Sequence, residues 1–404
     1  MISVEEALMR LLEPLEPVAP EQVALAEAFG RVLAEPVVAR RTQPPAALSA
    51  MDGYAVRAAD VERVPARLRV VGAVPAGKSY DHALSPGEAV RIFTGAPLPA
   101  GADTIVIQED TERDGDIVVI REGAPSGRYV RPAGLDFVTG AVGIPAGRRL
   151  TARDIGLAAG MDRPWLMVHR RPRVAILSTG DEIVMPGDPV GPNQIVSSNS
   201  LALGAFVQAC GAVPLQLGIA ADTPDSVQHL AEGARGADLL ITTGGASVGE
   251  HDLVKDALRV SGLELDFWQI AMRPGKPLMV GRYRDAVMVG LPGNPVSTLV
   301  CALIFLKPAI ERLSGLDPVA EPPVSARLAV PLAANDRRQD YLRATLARSS
   351  DGELEAKPFG KQDSSMMSLL ARSDCLVVRP PHAPPAKAGE RVTIIPLGGG
   401  PLAL

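Results

Sequence analysis

The chain has 404 residues, 47% of them apolar and only 3% aromatic, and a formal net charge of −5. That length exceeds what one hydrophobic core can organise and predicts several folded domains. The negative balance and the scarcity of aromatic rings argue against general binding of nucleic acid or anionic membranes, so any anionic ligand must be drawn by a local basic pocket.

Residues 3–13 read as a short amphipathic helix, and 21–35 as a second on Val23, Leu25, Ala28, Val32 and Leu33, with a proline-rich break from Pro14 to Pro20 between them. The opening Met1–Glu6 is acidic and does not read as a secretory leader. From about 41 to 134 short β-type runs (Leu68–Val71, Ala89–Phe93, Thr104–Gln108, Ile117–Ile120) alternate with Gly, Pro and Asp turns, which predicts a small β module. Residues 135–171 add turn-rich strands and a helix capped by Thr151.

From 172 the texture becomes strand–helix–strand. Strand Arg173–Leu177 runs into Ser178-Thr179-Gly180-Asp181-Glu182, and Asn199 is placed to cap a helix ending at Gly211. Strand Val213–Ile219 leads to Asp222, strand Asp238–Thr242 to a glycine-rich loop at 244–249, and a long apolar helix covers 295–313. This alternation predicts a doubly wound, mostly parallel sheet with helices on both faces. After Pro318, Pro322 and Pro323 the pattern is β again, at Ala326–Val330, Tyr341–Ala347, Cys375–Arg379 and Arg391–Ile395.

Three cysteines (Cys210, Cys301, Cys375) lie far apart in apolar surroundings, with no metal-binding or redox spacing, and read as buried structural thiols suited to a reducing compartment. The longest apolar run, Val296–Leu306, is too short to span a bilayer. The protein is expected to be cytoplasmic, without membrane or nucleic-acid partners.

Two glycine–proline turns carry the clearest chemistry: Met272-Arg273-Pro274-Gly275-Lys276-Pro277 and Leu291-Pro292-Gly293-Asn294-Pro295-Val296-Ser297. In the second, Asn294 can cap the following helix and Pro295 sits where a missing N–H costs nothing. Helix-start amides, the Ser297 hydroxyl, Arg273 and Lys276 together suit an oxyanion. In a parallel sheet, ligands bind beyond the carboxyl ends of the strands. Thr179–Glu182, Asp222, Gly244–Asp252 and Leu291–Ser297 all fall at such ends. Gly244 and Gly245 let backbone approach a bulky ligand, and Glu182, Asp222 and Asp252 are hard oxygen donors suited to Mg²⁺ beside a phosphorylated ligand. The histidines are scattered and do not suggest zinc.

Together with Met51-Asp52-Gly53-Tyr54-Ala55, Phe93-Thr94-Gly95-Ala96 and Arg131-Pro132-Ala133-Gly134-Leu135-Asp136, these segments resemble, in order and over essentially the whole chain, the molybdopterin molybdenumtransferase family (MoeA-like, with the E domain of gephyrin-type fusions). The resemblance implies insertion of molybdenum from molybdate into adenylated molybdopterin, with Mg²⁺, releasing AMP and molybdenum cofactor. It implies an elongated mixed domain from 1–40 and 135–171, an inserted small β domain at 41–134, an α/β molybdopterin-binding domain at 172–317 and a C-terminal β-barrel at 318–404. It also implies a homodimer in which Asp52, Thr94, Arg131 and Asp136 act across the subunit boundary. By position, Thr179, Gly180, Glu182, Asp222, Gly244, Gly245, Ser247 and Asp252 would hold Mg²⁺ and the adenylated pterin. Arg273, Lys276, Ser297, Arg343 and Ser365 would form the molybdate pocket, Pro292, Gly293 and Asn294 would be further binding residues, and Lys276 is also counted among the catalytic residues. A molybdopterin adenylyltransferase and apo-molybdoenzymes are conceivable partners.

Two alternatives remain open on sequence. Adenylyl transfer to molybdopterin would release pyrophosphate from ATP. A non-catalytic dimeric scaffold would fail to activate an apo-molybdoenzyme.

Overall fold

The computed structural model describes residues 1–244, 253–318 and 323–398, leaving out the Trp268 side chain. Ser3 opens the first helix, Val4–Leu12, by accepting the Glu6 N–H on its hydroxyl at 3.0 Å. Its buried face, Ala7 and Leu11, joins Leu15 and Val18 in the core of the central α/β unit rather than packing on the segment that follows.

The expected second helix over 21–35 is a strand, Pro20–Ala24, followed by a single 3₁₀ turn at Leu25–Glu27. The strand pairs antiparallel with Trp165–His169, Val23 lying opposite Leu166. Apolar spacing mimicked a helix here, but a partner strand distant in sequence supplied the ladder, and Gly30 turns the chain at φ +74°. The helix opened by Thr151 is present as Ala152–Gly160, with a capping box closed by Asp154. Residues 23–39 and 137–168 share one buried cluster that includes Leu33, Phe137, Ile144 and Val168.

The β module contains a six-stranded sheet in the order Thr104–Ile107, Gly53–Val56, Glu88–Ile92, Ala66–Val74, Ile117–Ile120, Thr111–Asp114. Gly53–Val56, buried at all four positions, sits second in that order.

The central sheet runs Val213–Ala220, Arg173–Thr179, Leu239–Thr243, Ala286–Leu291, Pro277–Tyr283, Leu263–Gln269. Only Pro277–Tyr283 opposes the other five strands. Val174, Ile176, Leu239 and Ile241 face helices Asn199–Ala209 and Pro295–Leu313, whereas Ala175, Leu177 and Leu240 face helices Pro224–Ala231 and Leu253–Val260. Burial on both sides explains the nearly continuous apolar runs of these strands. The long helix widens to a π turn at Ala302–Leu306, just before Pro308. The proline ring cannot accommodate a regular carbonyl four residues earlier, and the wider turn relieves that clash.

Five strands, Gln339–Arg348, Leu354–Pro358, Val324–Leu328, Arg391–Pro396 and Cys375–Arg379, close into a barrel in that cyclic order. Leu354–Pro358 was not expected, because its charged, alternating sequence gives little apolar signal. Met272–Arg273 pairs in parallel with Gln339–Asp340 and so ties the first glycine–proline turn to the barrel. The three cysteines are free, Cys301 and Cys375 are buried, and burial pushes their thiols and that of Cys210 upward, Cys210 to about 11. Among the described residues no helix is long and apolar enough to cross a membrane.

Candidate functional site

A cleft of about 610 Å³ opens at the carboxyl ends of strands Arg173–Thr179 and Leu239–Thr243, between the starts of helices Asn199–Ala209 and Pro295–Cys301. Thr179, Glu182, Gly244, Pro292, Gly293, Asn294, Ser297 and Ser365 all line it. The two glycine-containing turns at its floor interlock. Gly244 has φ +90°, and a Cβ there would run into the Thr179 carbonyl oxygen; Gly180 has φ +138°, and a Cβ there would meet the Glu182 carboxylate. Glycine is therefore required at both positions.

Asn199 is not the cap expected of it. Ser198 occupies the N-cap position, and the Asn199 amide donates instead to Thr243 Oγ1 at 3.0 Å and to the Gly293 carbonyl at 2.7 Å, stapling two cleft walls together. Asn294 holds the N-cap position of the other helix, but its side chain makes no capping bond; its amide reaches out to Ser364 Oγ of the barrel at 3.0 Å. One expected free amide is also occupied, because Val296 N–H donates to the Ser364 carbonyl at 3.1 Å. Ser297, 5% exposed, keeps its place on the cleft wall.

Ser178 Oγ and Thr179 Oγ1, both on residues lining the cleft, and Thr242 Oγ1 in the adjacent strand are buried without a hydrogen-bond partner. Each unmade bond costs about 1–3 kcal/mol. A ligand with donors and acceptors along one edge would recover that cost. Ile183, Ile195 and Val196 supply apolar walls. The sequence reading placed Ser178 in a strand-end turn and Asn199 at a helix start but gave neither a role in the cleft, because a lone hydroxyl or amide carries no spacing signal.

The acids divide. Glu182 lines the cleft, whereas Asp222 braces the Asp181 turn at its edge: Asp222 N–H donates to Asp181 Oδ1 at 3.0 Å, and Asp181 N–H to Asp222 Oδ2 at 3.4 Å. Asp252, Gly245 and Ser247 lie outside the described residues. Among the described residues no group of three His, Cys, Asp or Glu side chains could hold a metal. The two expected ligands that are described, Glu182 and Asp222, are of the hard-oxygen kind that suits Mg²⁺ when a ligand's phosphate oxygens complete the shell.

No arginine or lysine lines the cleft among the described residues. Arg273 is turned to the barrel, where it pairs with Asp340 and approaches Asp336 at 3.4 Å; the Asp340 bond raises its guanidinium's pKa further. Lys276, half-buried, precedes cleft residue Pro277 and has no described side-chain partner. Arg343 is 1% exposed and sits behind the Ser364–Ser365 turn. Its Nε donates to Gln362 Oε1 at 3.0 Å and its Nη1 to the Asp363 carbonyl at 2.6 Å. No carboxylate among the described residues hydrogen-bonds it, and burial lowers its pKa. Asp363 holds Ser365 through both N–H (2.8 Å) and hydroxyl (2.7 Å), and these bonds depress its own carboxyl.

Asp52, Thr94, Arg131 and Asp136 lie elsewhere in this chain and do not line the cleft. Asp52 Oδ1 accepts the Thr94 N–H at 2.7 Å and hydroxyl at 2.8 Å, which lowers the Asp52 carboxyl. Arg131 pairs in register with Leu48, beside the same turn, and Asp136 is exposed further along. Nearby Met51, Phe93 and Leu135 are large apolar side chains left exposed at 38%, 37% and 60%.

Comparison with known proteins decides the family. Three family models match along the chain: MoeA N-terminal region (domain I and II) over residues 2–161, probable molybdopterin binding domain over 175–312, and MoeA C-terminal region (domain IV) over 325–397. A molybdopterin molybdenumtransferase of Nostoc sp. is 38% identical, covering 93% of this chain and 88% of its own. The chain belongs to the molybdopterin molybdenumtransferase family. The Haemophilus influenzae relative of that name is 34% identical over 98% of both chains, and Mycobacterium tuberculosis molybdopterin molybdenumtransferase 2 is 36% identical over 98% of this chain and 99% of its own. A solved molybdopterin biosynthesis MoeA protein from Pyrococcus horikoshii superposes with a TM-score of 0.86 at 30% identity, over 99% of this chain and 100% of that one. The protein is thus an enzyme of this family, with the cleft in the segment matched by the molybdopterin-binding model and Ser365 contributed from the segment matched as domain IV.

Proposed function

We propose that the protein inserts molybdenum from molybdate into adenylated molybdopterin, releasing AMP and the molybdenum cofactor. One observation carries this reading: a cleft with orphaned hydroxyls on its floor and apolar walls meets, at one end, the Ser297 helix start and a turn backed by a buried arginine that no described carboxylate pairs. The floor and walls suit a flat heterocycle rich in donors and acceptors. The other end suits a tetrahedral dianion, since a helix start and a guanidinium that no described carboxylate hydrogen-bonds both favour negative charge.

In this account Thr179, Gly180, Gly244, Gly245 and Ser247 cradle the pterin and its phosphates. Lys276, Ser297, Ser365 and the turn braced by Arg343 receive molybdate, with Pro292, Gly293 and Asn294 shaping the wall. Arg273 contributes by fixing the 272–277 turn to the barrel. Glu182, Asp222 and Asp252 would hold Mg²⁺, whose charge would neutralise the ligand's phosphate oxygens. Holding two anionic reactants together and desolvated is the main catalytic task, so positioning and charge neutralisation dominate. Arrival of molybdate is coupled to cleavage of the phosphoanhydride and departure of AMP.

The shortage of cations in the cleft has a partner in the exposed patch around Met51, Phe93 and Leu135, next to Asp52, Thr94 and Arg131. A homodimer that sets this patch of one subunit over the cleft of the other would bury the apolar side chains and bring in Arg131. Apo-molybdoenzymes would take the product, and an adenylyltransferase would supply the substrate. A crystal soaked in molybdate tests the anion end. Tetrahedral density against Ser297, Lys276 and Ser365 is expected, and density at a remote basic surface alone would contradict the assignment.

A further inference from the structure

Buried arginines ordinarily meet a carboxylate, because an uncompensated charge is costly to remove from water. Arg343 meets an amide instead. Gln362 Oε1 accepts both the Arg343 backbone N–H and Nε, each at 3.0 Å, while Gln362 Nε2 donates to the Arg343 carbonyl at 3.0 Å and the Phe359 carbonyl at 2.9 Å. Every hydrogen-bonding capacity of the Gln362 amide is thereby used. The guanidinium is locked in orientation by a neutral group, and the Asp363 carboxylate acts on it through space without a hydrogen bond. Its Nη1 bonds the carbonyl of Asp363, one residue before Ser364, whose own carbonyl takes the Val296 N–H at the helix start. Among the described residues the acid acting on the guanidinium is Asp363, whose hydrogen bonds go to the Ser365 amide and hydroxyl.

We infer that Gln362 is a positioning residue of the anion pocket: it fixes the Arg343 guanidinium with a neutral acceptor and so leaves the positive charge available to an oxyanion at the Ser297–Ser365 end of the cleft. The inference rests on the reading of that end as an oxyanion site. Neutrality is the essential property, because a carboxylate at 362 would still accept from Nε but would cancel the guanidinium's field, and would set an oxygen against the Arg343 and Phe359 carbonyls that Nε2 now serves.

The test is titration calorimetry of molybdate into the full chain, comparing wild type, Gln362→Glu and Gln362→Met. The first substitution keeps an acceptor and adds a charge; the second removes the hydrogen bonds and keeps neutrality. Both remove the two Nε2 donor bonds, so a purely structural role would make affinity fall in step with unfolding stability in the two variants, which denaturant unfolding measures alongside. The expected result is a dissociation constant raised about tenfold or more by Glu and less than about threefold by Met, in keeping with a full unit charge opposed across a partly buried site. Unchanged affinity in Gln362→Glu, or an equal loss in Gln362→Met, would overturn the inference while leaving the oxyanion site standing. If Gln362→Glu fails to fold, Arg343→Gln must show the same loss, and wild-type affinity there overturns it. A wild-type chain that binds no molybdate removes the oxyanion reading itself, and this inference with it.

Discussion

Gly244 and Thr179 meet so closely that the cleft floor depends on a missing side chain. With φ at +90° and the Thr179 carbonyl in the path of any Cβ, Gly244→Ala must shift backbone on two strands. A loss of more than about 2 kcal/mol is expected in chemical unfolding, together with loss of pterin binding. Wild-type stability in that variant would mean that the two turns are free to move apart. Gly244 could be singled out from sequence as a glycine at a strand end, because its chemistry is local. The bond from Asn199 to Gly293 could not, since it joins residues 94 positions apart through one amide. Arg273 is the intermediate case: its charge was legible, but its commitment to Asp340 depends on the strand pairing of residues 272–273 with the barrel.

Helix Pro295–Cys301 begins in the α/β unit but has its first turn completed by the barrel, through Ser364. Ser364→Ala removes the side-chain half of that clasp and leaves the backbone half. A cost of about 0.5–1.5 kcal/mol is expected in denaturant unfolding, with a rise in the KM for molybdate exceeding any fall in kcat. An effect on kcat alone would place Ser364 in the chemistry rather than in positioning. At this scale the sequence read well wherever local pattern decides the outcome. The Thr151 capping box, the central-sheet strands at 173–179, 213–220 and 239–243 and four of the five barrel strands follow from caps and apolar runs. It read poorly at Pro20–Ala24, where helical spacing on Val23, Leu25 and Ala28 lost to pairing with Trp165–His169. Leu354–Pro358 was missed for the converse reason, because its pairing with neighbouring strands supplies what its own composition does not.

The motifs near Asp52, Thr94 and Arg131 do not line the cleft that holds Ser297, and the proposed homodimer is the arrangement that would bring both sets to one site. Mixing Asp52→Ala chains with Lys276→Ala chains should restore activity, because each mixed dimer rebuilds one intact site. With random exchange of subunits about a quarter of wild-type activity is expected. Activity no greater than either variant alone would place all these residues in a single-chain site. The central claim, that molybdate drives AMP out of adenylated molybdopterin, is tested most directly by measuring AMP released by the purified protein with and without molybdate. The account predicts release that requires molybdate and is lost in Lys276→Ala and Ser297→Ala; release that is indifferent to molybdate, or undiminished in both variants, would contradict it.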